Sequence, residues 1–290
     1  MTDISLDLSS KLPAGHVNII RRVVQTAASL KLTALFIVGA QARDLILQHA
    51  YDVPIHRKTD DIDFGIVVEN WDEYTKLRDA LIAREGFQQH PKKRQRLLHG
   101  EDVIVDLVPF GALEEKAGEI AWPPDFSVVM STVGFREAYD NSIRVRVADD
   151  LVVKVASLAG LALLKLVAWS DRHFERDAQD LGLIMRHYLD AGNQDRLYAE
   201  GGDSSDLLLE DDFDYEAASA RILGRDVGML LTDESRALIK QVLAEETKDA
   251  DTCALAMAMV RNNANYHGDV DLAQSRLADT YLGITEIVKG

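Results

Sequence analysis

The sequence predicts an α+β fold with a helical C-terminal part. Three observations carry this expectation. Short β-branched runs alternate with amphipathic stretches up to about residue 155, which is the pattern of strands and helices sharing a core. Beyond Leu158 the apolar spacing is almost wholly helical. The composition, 47% apolar and 28% charged over 290 residues, is that of a globular chain long enough for one large domain or two ordinary ones. The expected division is 1–150 and 151–290.

The elements follow in order. His16 to Leu32 places apolar residues at Val17, Ile20, Val23, Val24, Ala27, Ala28 and Leu30, a helical spacing. Leu35-Phe36-Ile37-Val38 is a short apolar strand that stops at Gly39, and Ala40 to Gln48 is helical. A strand, a glycine and a helix form a phosphate-binding layout, because glycine admits close backbone approach and helix N-terminal amides attract anions. Gly39 alone is weak support, since glycine at such a turn is ordinary. Arg43, one turn into the helix, reads as a phosphate or carboxylate partner or as a solvated surface arginine.

Asp52 to Lys58 is a loop with Pro54, feeding an Asp-rich strand. Trp71 to Arg84 is an amphipathic helix that Gly86 ends. Gln95 to Leu98 and Val103 to Val108 are strands joined by a turn at Glu101-Asp102. Trp122-Pro123-Pro124 is a loop. Ser127 to Met130, Ile143 to Val147 and Leu151 to Val155 are short strands, the last pair turning at Ala148-Asp149-Asp150. Ser157 is an N-cap candidate for a helix running from Leu158 through Trp169. If that helix is continuous, Lys165, Trp169, Arg172 and Arg176 lie on one stripe, with Asp180 at its edge and Asp177 further round. After Asp190 an acidic Gly/Ser/Asp-rich loop, Glu200 to Asp214, precedes helices at Tyr215–Leu223, Asp233–Ala244, Asp251–Asn262 and Leu272–Val288.

Several classes of function are disfavoured. No run of about 18 apolar residues is present, so no transmembrane helix is expected. Met1 to Ser10 carries Asp3 and Asp7 and no basic segment, so no signal peptide is expected. The single cysteine, Cys253, excludes an internal disulfide and cysteine-based zinc sites and fits a reducing cytoplasm. The formal net charge of −16 is wrong for a broad nucleic-acid grip, so any such contact must be local. His90 to His99, with Lys92, Lys93, Arg94 and Arg96, is the local basic stretch; it reads either as a solvated hairpin or as a triphosphate or RNA contact beside the carboxylates of the Asp-rich strand.

The chemistry concentrates in Thr59-Asp60-Asp61-Ile62-Asp63-Phe64. On a strand, Asp61 and Asp63 leave the same face. Adjacent carboxylates repel unless a cation sits between them, and Mg²⁺ is the usual choice where phosphates are also bound. An isolated Asp-x-Asp is more often a solvated turn. Here Asp106 adds a lone acid inside an apolar strand, costly unless paired or metal-bound, and it would complete a two-metal carboxylate cluster. Lys165, among apolar neighbours, is either a snorkelling surface lysine or a cation at the edge of the core aimed at phosphate.

Val38-Gly39 before a helix, the Thr59-x-Asp61-Ile62-Asp63-Phe64 run and Asp106 on a later strand together resemble the nucleotidyltransferase superfamily of the DNA polymerase β type. Leu164-Lys165-Leu166-Val167-Ala168-Trp169, Asp171-Arg172 and Arg176-Asp177-Ala178-Gln179-Asp180-Leu181 resemble the AbiEii/AbiGii toxin family, over roughly residues 15 to 190. The resemblance implies a mixed β-sheet nucleotidyltransferase core flanked by helices in 1–150. It implies that 151–290 completes the active site through Lys165 to Asp180 and adds a helical cap. It further implies Asp61, Asp63, Asp106 and Lys165 as catalytic residues, with the three aspartates holding Mg²⁺ or Mn²⁺. Gly39, Ala40, Arg43, Arg172, Asp177 and Asp180 would bind the NTP substrate, although Asp177 and Asp180 could instead position Lys165 or Arg172. The acceptor would be tRNA, a protein or a small molecule; an antitoxin would be a partner, and no membrane is involved. Ala40 departs from the Gly-Ser or Gly-Gly of the superfamily: it lacks the hydroxyl but keeps its backbone N–H. A nucleotide-sensing pseudoenzyme and an antibiotic-modifying nucleotidyltransferase are the alternatives.

Overall fold

The structure, a computed structural model, describes residues 4–55, 59, 61–100, 103–114, 116, 118–248, 252–261 and 266–287. The expectations at Met1 and Asp3, Lys58, Asp60, the Glu101-Asp102 turn, Asp251, Asn262 and Val288 lie outside them. The chain forms two compact units, residues 1–50 with 54–157 and residues 51–53 with 158–290.

The first unit is built on a sheet. β1 (Leu6–Asp7), α1 (Ala14–Ser29) and β2 (Leu35–Val38) lead into α2 (Gly39–Asp44), which continues as a π-helical segment over Leu45–Ala50. β3 (Asp61–Val67) and α3 (Trp71–Glu85) follow. Asn70 caps α3 by accepting a hydrogen bond from the Glu73 N–H, and Gly86, at φ 77°, ends it as the sequence predicts. Then come β4 (Phe87–Gln89), β5 (Arg96–His99), β6 (Val103–Phe110), β7 (Glu119–Trp122), β8 (Val128–Ser131), α4 (Phe135–Asp140), β9 (Ile143–Ala148) and β10 (Leu151–Val155).

Among the described residues one eight-stranded mixed sheet has the order β1-β9-β10-β2-β3-β6-β5-β4, and β7 and β8 form a separate two-stranded sheet. The fold is thus α+β with a mixed sheet, as expected. β3 runs antiparallel to β2 and parallel to β6, with Asp63 opposite Val38 on one side and Asp106 on the other. Ile62, Phe64, Ile66, Val105 and Leu107 are buried, so the central strands are apolar except at the aspartates. Phe36, Phe110, Phe135 and Tyr139 pack together with centroids 5.5 to 6.4 Å apart, edge to face except for the tilted pair Phe110 and Phe135. Gly65 makes room for this cluster: a Cβ there would lie 2.3 Å from the Phe36 ring.

Two expectations change here. The first unit extends through Ser157 rather than stopping at 150, because β10 pairs with β9 and β2 inside the sheet. Trp122 is the last residue of a strand paired with Val128, not the start of a loop, and β4 and α4 are elements the hydropathy pattern did not signal.

The second unit is helical: α5 (Leu158–Arg172), α6 (Glu175–His187), α7 (Gln194–Tyr198), α8 (Tyr215–Leu230), α9 (Asp233–Glu246), α10 (Ala254–Val260) and α11 (Val270–Glu286). α8 and α11 approach closely through glycines. A Cβ on Gly224 would lie 2.1 Å from the Thr280 carbonyl oxygen, and one on Gly283 2.1 Å from that of Arg221. Among the described residues no helix is long and apolar enough to cross a membrane.

Candidate active site

Two charged clusters hold the residues picked out from sequence, one in each unit. The first arises from strand register. Asp61 and Asp63 share a face of β3 by alternation, Asp106 on β6 is level with Asp63, and Arg96 on β5 is level with Asp106. All four side chains therefore rise from one face across three neighbouring strands.

Asp63 lies against the turn from β2 into α2. Gly39 is at φ 68°, and a Cβ there would sit 2.0 Å from Asp63 Oδ2. Glycine is required at this position on both counts: the left-handed backbone strains any other residue, and the carboxylate occupies the space a side chain would need. Ala40 follows in the first turn of α2.

Asp106 is 8% exposed. Burying a carboxylate is tolerable only with a partner, and the partner is Arg96. Its Nε donates to Asp106 Oδ1 at 2.8 Å and a terminal nitrogen donates to Oδ2 at 2.7 Å, a bidentate fork. The same terminal nitrogen reaches Asp61 Oδ2 at 3.2 Å. These hydrogen bonds, with the charges of Asp106, Asp61 and Asp63, outweigh burial and raise the Arg96 pKa further above its ordinary value.

The donor chemistry of the three aspartates suits a hard divalent cation, being ionised oxygen on a rigid sheet. Among the described residues no three His, Cys, Asp or Glu side chains are grouped so as to hold a metal ion. In this arrangement Arg96 takes both oxygens of Asp106 and one of Asp61.

Arg96 was grouped in sequence with Lys92, Lys93 and Arg94 as an undivided basic stretch. A stronger signal was available. Gln95–Leu98 and Val103–Val108 are hairpin partners around a short turn, and the pairing His99 with Val103 and Leu97 with Val105 carries Arg96 opposite Asp106. The other basic residues go elsewhere. Arg94 donates to the Pro123 carbonyl at 2.8 Å and pairs with Asp125 at 2.9 Å, while Lys92 and Lys93 are exposed at the rim of a hollow of about 590 Å³ walled by Tyr74, Ile82 and Trp122. Arg43 is buried and paired with Asp44, so of its three readings the carboxylate partner is the one seen and the solvated surface arginine is excluded.

The second cluster is helical. The stripe expected from Lys165 through Arg176 on one helix is not present. α5 stops at Arg172, His173 adopts φ 51°, and α6 starts at Glu175, leaving Arg176 exposed on a different helix. The break lets α6 pack back on α5. Lys165 Nζ then lies 2.9 Å from Asp177 Oδ1 and 2.7 Å from Asp180 Oδ2, both carboxylates almost fully buried. Arg172 pairs with the other oxygen of Asp177 at 2.7 Å and stacks over Phe174. Lys165 is thus neither a snorkelling surface residue nor a free cation: its charge is balanced by two aspartates within its own unit. Burial opposes that charge, but Asp180 and Asp177 outweigh it and the pKa is raised.

Comparison with known proteins supplies the family. Residues 45–266 match the model of the AbiEii nucleotidyl transferase toxin of type IV toxin–antitoxin systems. Among curated proteins none matches the sequence. Solved structures similar to the chain include the antibiotic-resistance factor ANT(2'')-Ia, at 18% identity over 56% of this chain and 75% of that one, with a TM-score of 0.35. JHP933 from Helicobacter pylori is similar at 14% identity over 96% and 94%, with a TM-score of 0.40. The CdnE cyclic dinucleotide synthase of Elizabethkingia meningoseptica is similar at 10% identity over 91% and 89%, with a TM-score of 0.27. The family match spans most of the chain and takes in both charged clusters, and on it the chain belongs to the AbiEii nucleotidyl transferase toxin family.

Proposed function

We propose that the protein transfers a nucleoside monophosphate from an NTP to an acceptor hydroxyl, in a reaction dependent on Mg²⁺ or Mn²⁺, as the toxin of a type IV pair neutralised by an antitoxin. The single observation that supports this most is the placement of Asp61, Asp63 and Asp106 on one face of adjacent parallel strands, beside a glycine turn that only a residue without a side chain can make. Asp61, Asp63 and Asp106 are the residues that would hold the cation. When bound, a divalent cation neutralises triphosphate charge and makes the attacking hydroxyl more acidic.

The residues of the chain do the rest. The Gly39–Ala40 turn presents backbone N–H groups, the usual means of holding a phosphate at a strand–helix junction. The acceptor oxygen attacks the α-phosphorus, the bond from that phosphorus to the bridging oxygen breaks, and pyrophosphate leaves with the electron pair. Asp106 orients the acceptor hydroxyl and accepts its proton. The acceptor is RNA, a protein or a small molecule.

One observation favours a second reading, a nucleotide-binding pseudoenzyme: Arg96 already satisfies two of the carboxylates. Incubation with α-phosphate-labelled NTPs, Mg²⁺ and total cell lysate separates the two. The enzyme labels an acceptor, and Asp63→Asn lowers that labelling on the order of a hundredfold or more, the scale of losing one preorganised electrostatic group. A pseudoenzyme binds NTP and labels nothing. Labelling that survives Asp63→Asn would overturn the assignment of the site.

A further inference from the structure

The disagreement between the carboxylates and a metal site is itself informative. We propose that Arg96 is the resident counter-cation of Asp61 and Asp106, and that a divalent cation enters the site only by displacing it. The proposal rests on the reading of the three aspartates as metal-holding residues.

The geometry leaves little alternative. Both oxygens of Asp106 are engaged by Arg96 at 2.8 and 2.7 Å, and one oxygen of Asp61 at 3.2 Å. A cation bound at about 2.1 Å to these carboxylates draws on the same negative charge that holds the guanidinium. A guanidinium cannot yield by losing its proton. Two positive charges would then share the buried Asp106 carboxylate, and in a partly desolvated site they repel each other. Arg96 is therefore pushed to move when a cation binds. It is able to: its side chain is long, is 15% exposed, and rises from β5, one strand from the sheet edge.

The arrangement solves a problem of the metal-free state. Three carboxylates on adjacent strand positions repel one another, and Asp106 is buried. Arg96 supplies the missing charge in a geometry that a lysine could not match, because only the guanidinium fork spans both oxygens of Asp106. Part of the binding energy of the metal is spent on removing it. The site thereby carries a threshold: it stays closed on itself until the cation arrives at sufficient concentration.

The test uses the full chain, stripped with a chelator and titrated calorimetrically with Mn²⁺ alone, as wild type, Arg96→Met and Arg96→Lys. Removing the competitor should tighten Mn²⁺ binding in Arg96→Met by on the order of tenfold or more, equivalent to about 1.4 kcal/mol. Arg96→Lys, which keeps a charge but loses the fork, should fall between. The metal-free Arg96→Met protein should melt below wild type, and the gap should close as Mn²⁺ is added, which a merely structural arginine would not do. If Arg96→Met does not fold, Arg96→Lys carries the comparison, and tighter binding than wild type is still required. Mn²⁺ that binds wild type and binds the variants equally or more weakly overturns the displacement proposal and leaves the metal reading intact. Failure of wild type and variants alike to bind Mn²⁺ at millimolar concentration overturns the metal reading, and the proposal with it.

Discussion

At the scale of single residues, the contact between Gly39 and Asp63 ties backbone conformation to chemistry. Gly39→Ala imposes two costs: a left-handed backbone with a side chain, about 1–2 kcal/mol, and a methyl group 2.0 Å from Asp63 Oδ2 that the carboxylate must vacate. Gly100 separates them. It has φ 64° and nothing within 4 Å of where its Cβ would lie. In a thermal melt Gly100→Ala should lose only the backbone cost and Gly39→Ala that cost and more, and only Gly39→Ala should also lose nucleotidyl transfer, approaching the loss of Asp63→Asn. Equal transfer by both variants would show that the position of Asp63 is unimportant. Asp61, Asp63 and Asp106 were legible in the sequence because strand alternation and a lone acid in an apolar run are local signals. Arg96 was not read because its role depends on pairing between strands, which a reading of runs does not consult.

At the scale of elements, the break between α5 and α6 decides what Lys165 does. No glycine or proline marks it, and Phe174 continues the apolar spacing, so the stripe from Lys165 to Arg176 reads as one helix although the chain forms two. The same locality hides the glycine-mediated approach of α8 and α11: Gly283 lies inside the expected Leu272–Val288 helix, and α8 runs on through Gly224 to Leu230, past the Leu223 end that the spacing predicts. The fold class and most strands were legible because their apolar period is local; helix partners were not, because packing is set by residues far apart in sequence. Once α6 turns back, Lys165 balances Asp177 and Asp180 in the interior. Removing one member of a buried ionic group leaves the others uncompensated, at about 3–5 kcal/mol. Lys165→Met should therefore destabilise the second unit by that amount in urea unfolding followed at Trp169, which sits one turn further along α5. The pH dependence has a definite sign. With its pKa raised in the folded state, Lys165 contributes stability in full below its unfolded value, about 10.4, and that contribution is lost as pH rises through the higher folded value. Wild type should lose stability above about pH 10.4 more steeply than Lys165→Met does. Parallel pH curves would mean that the lysine is not charged in the interior.

At the scale of the whole molecule, charge sets the conditions under which the fold is most stable. A formal net charge of −16 at pH 7 makes the chain repel itself, a long-range effect that salt screens over a Debye length of about 10 Å at 0.1 M. Opposing it are local ion pairs. Hydrogen bonds from Arg225, Arg196 and Arg94 hold Asp206, Asp203 and Asp125 below the usual carboxylate range, Asp125 at about 2. Depressed carboxylates contribute stability above their unfolded value, about 3.9, and lose it as pH falls through the folded value. The two effects act in different windows. Between pH 7 and the isoelectric point near 4.9, acidification relieves repulsion while the paired aspartates stay ionised. From about pH 4 downward the contribution of the pairs declines, and it is gone once pH has fallen through the folded values. The melting temperature should therefore peak between about pH 5 and 7. Raising NaCl from about 10 to 200 mM at pH 7 should increase it by about 2–4 °C, the shift expected for about 1 kcal/mol in a chain of this size. The same salt step at pH 5 should do nothing or lower it slightly, because with little net charge only the attractive pairs remain to be screened. A grid of thermal melts over pH and NaCl measures this directly. A salt-induced fall at pH 7 would mean that the ion pairs, at surface positions where each is worth little on its own, together outweigh the repulsion of the whole chain.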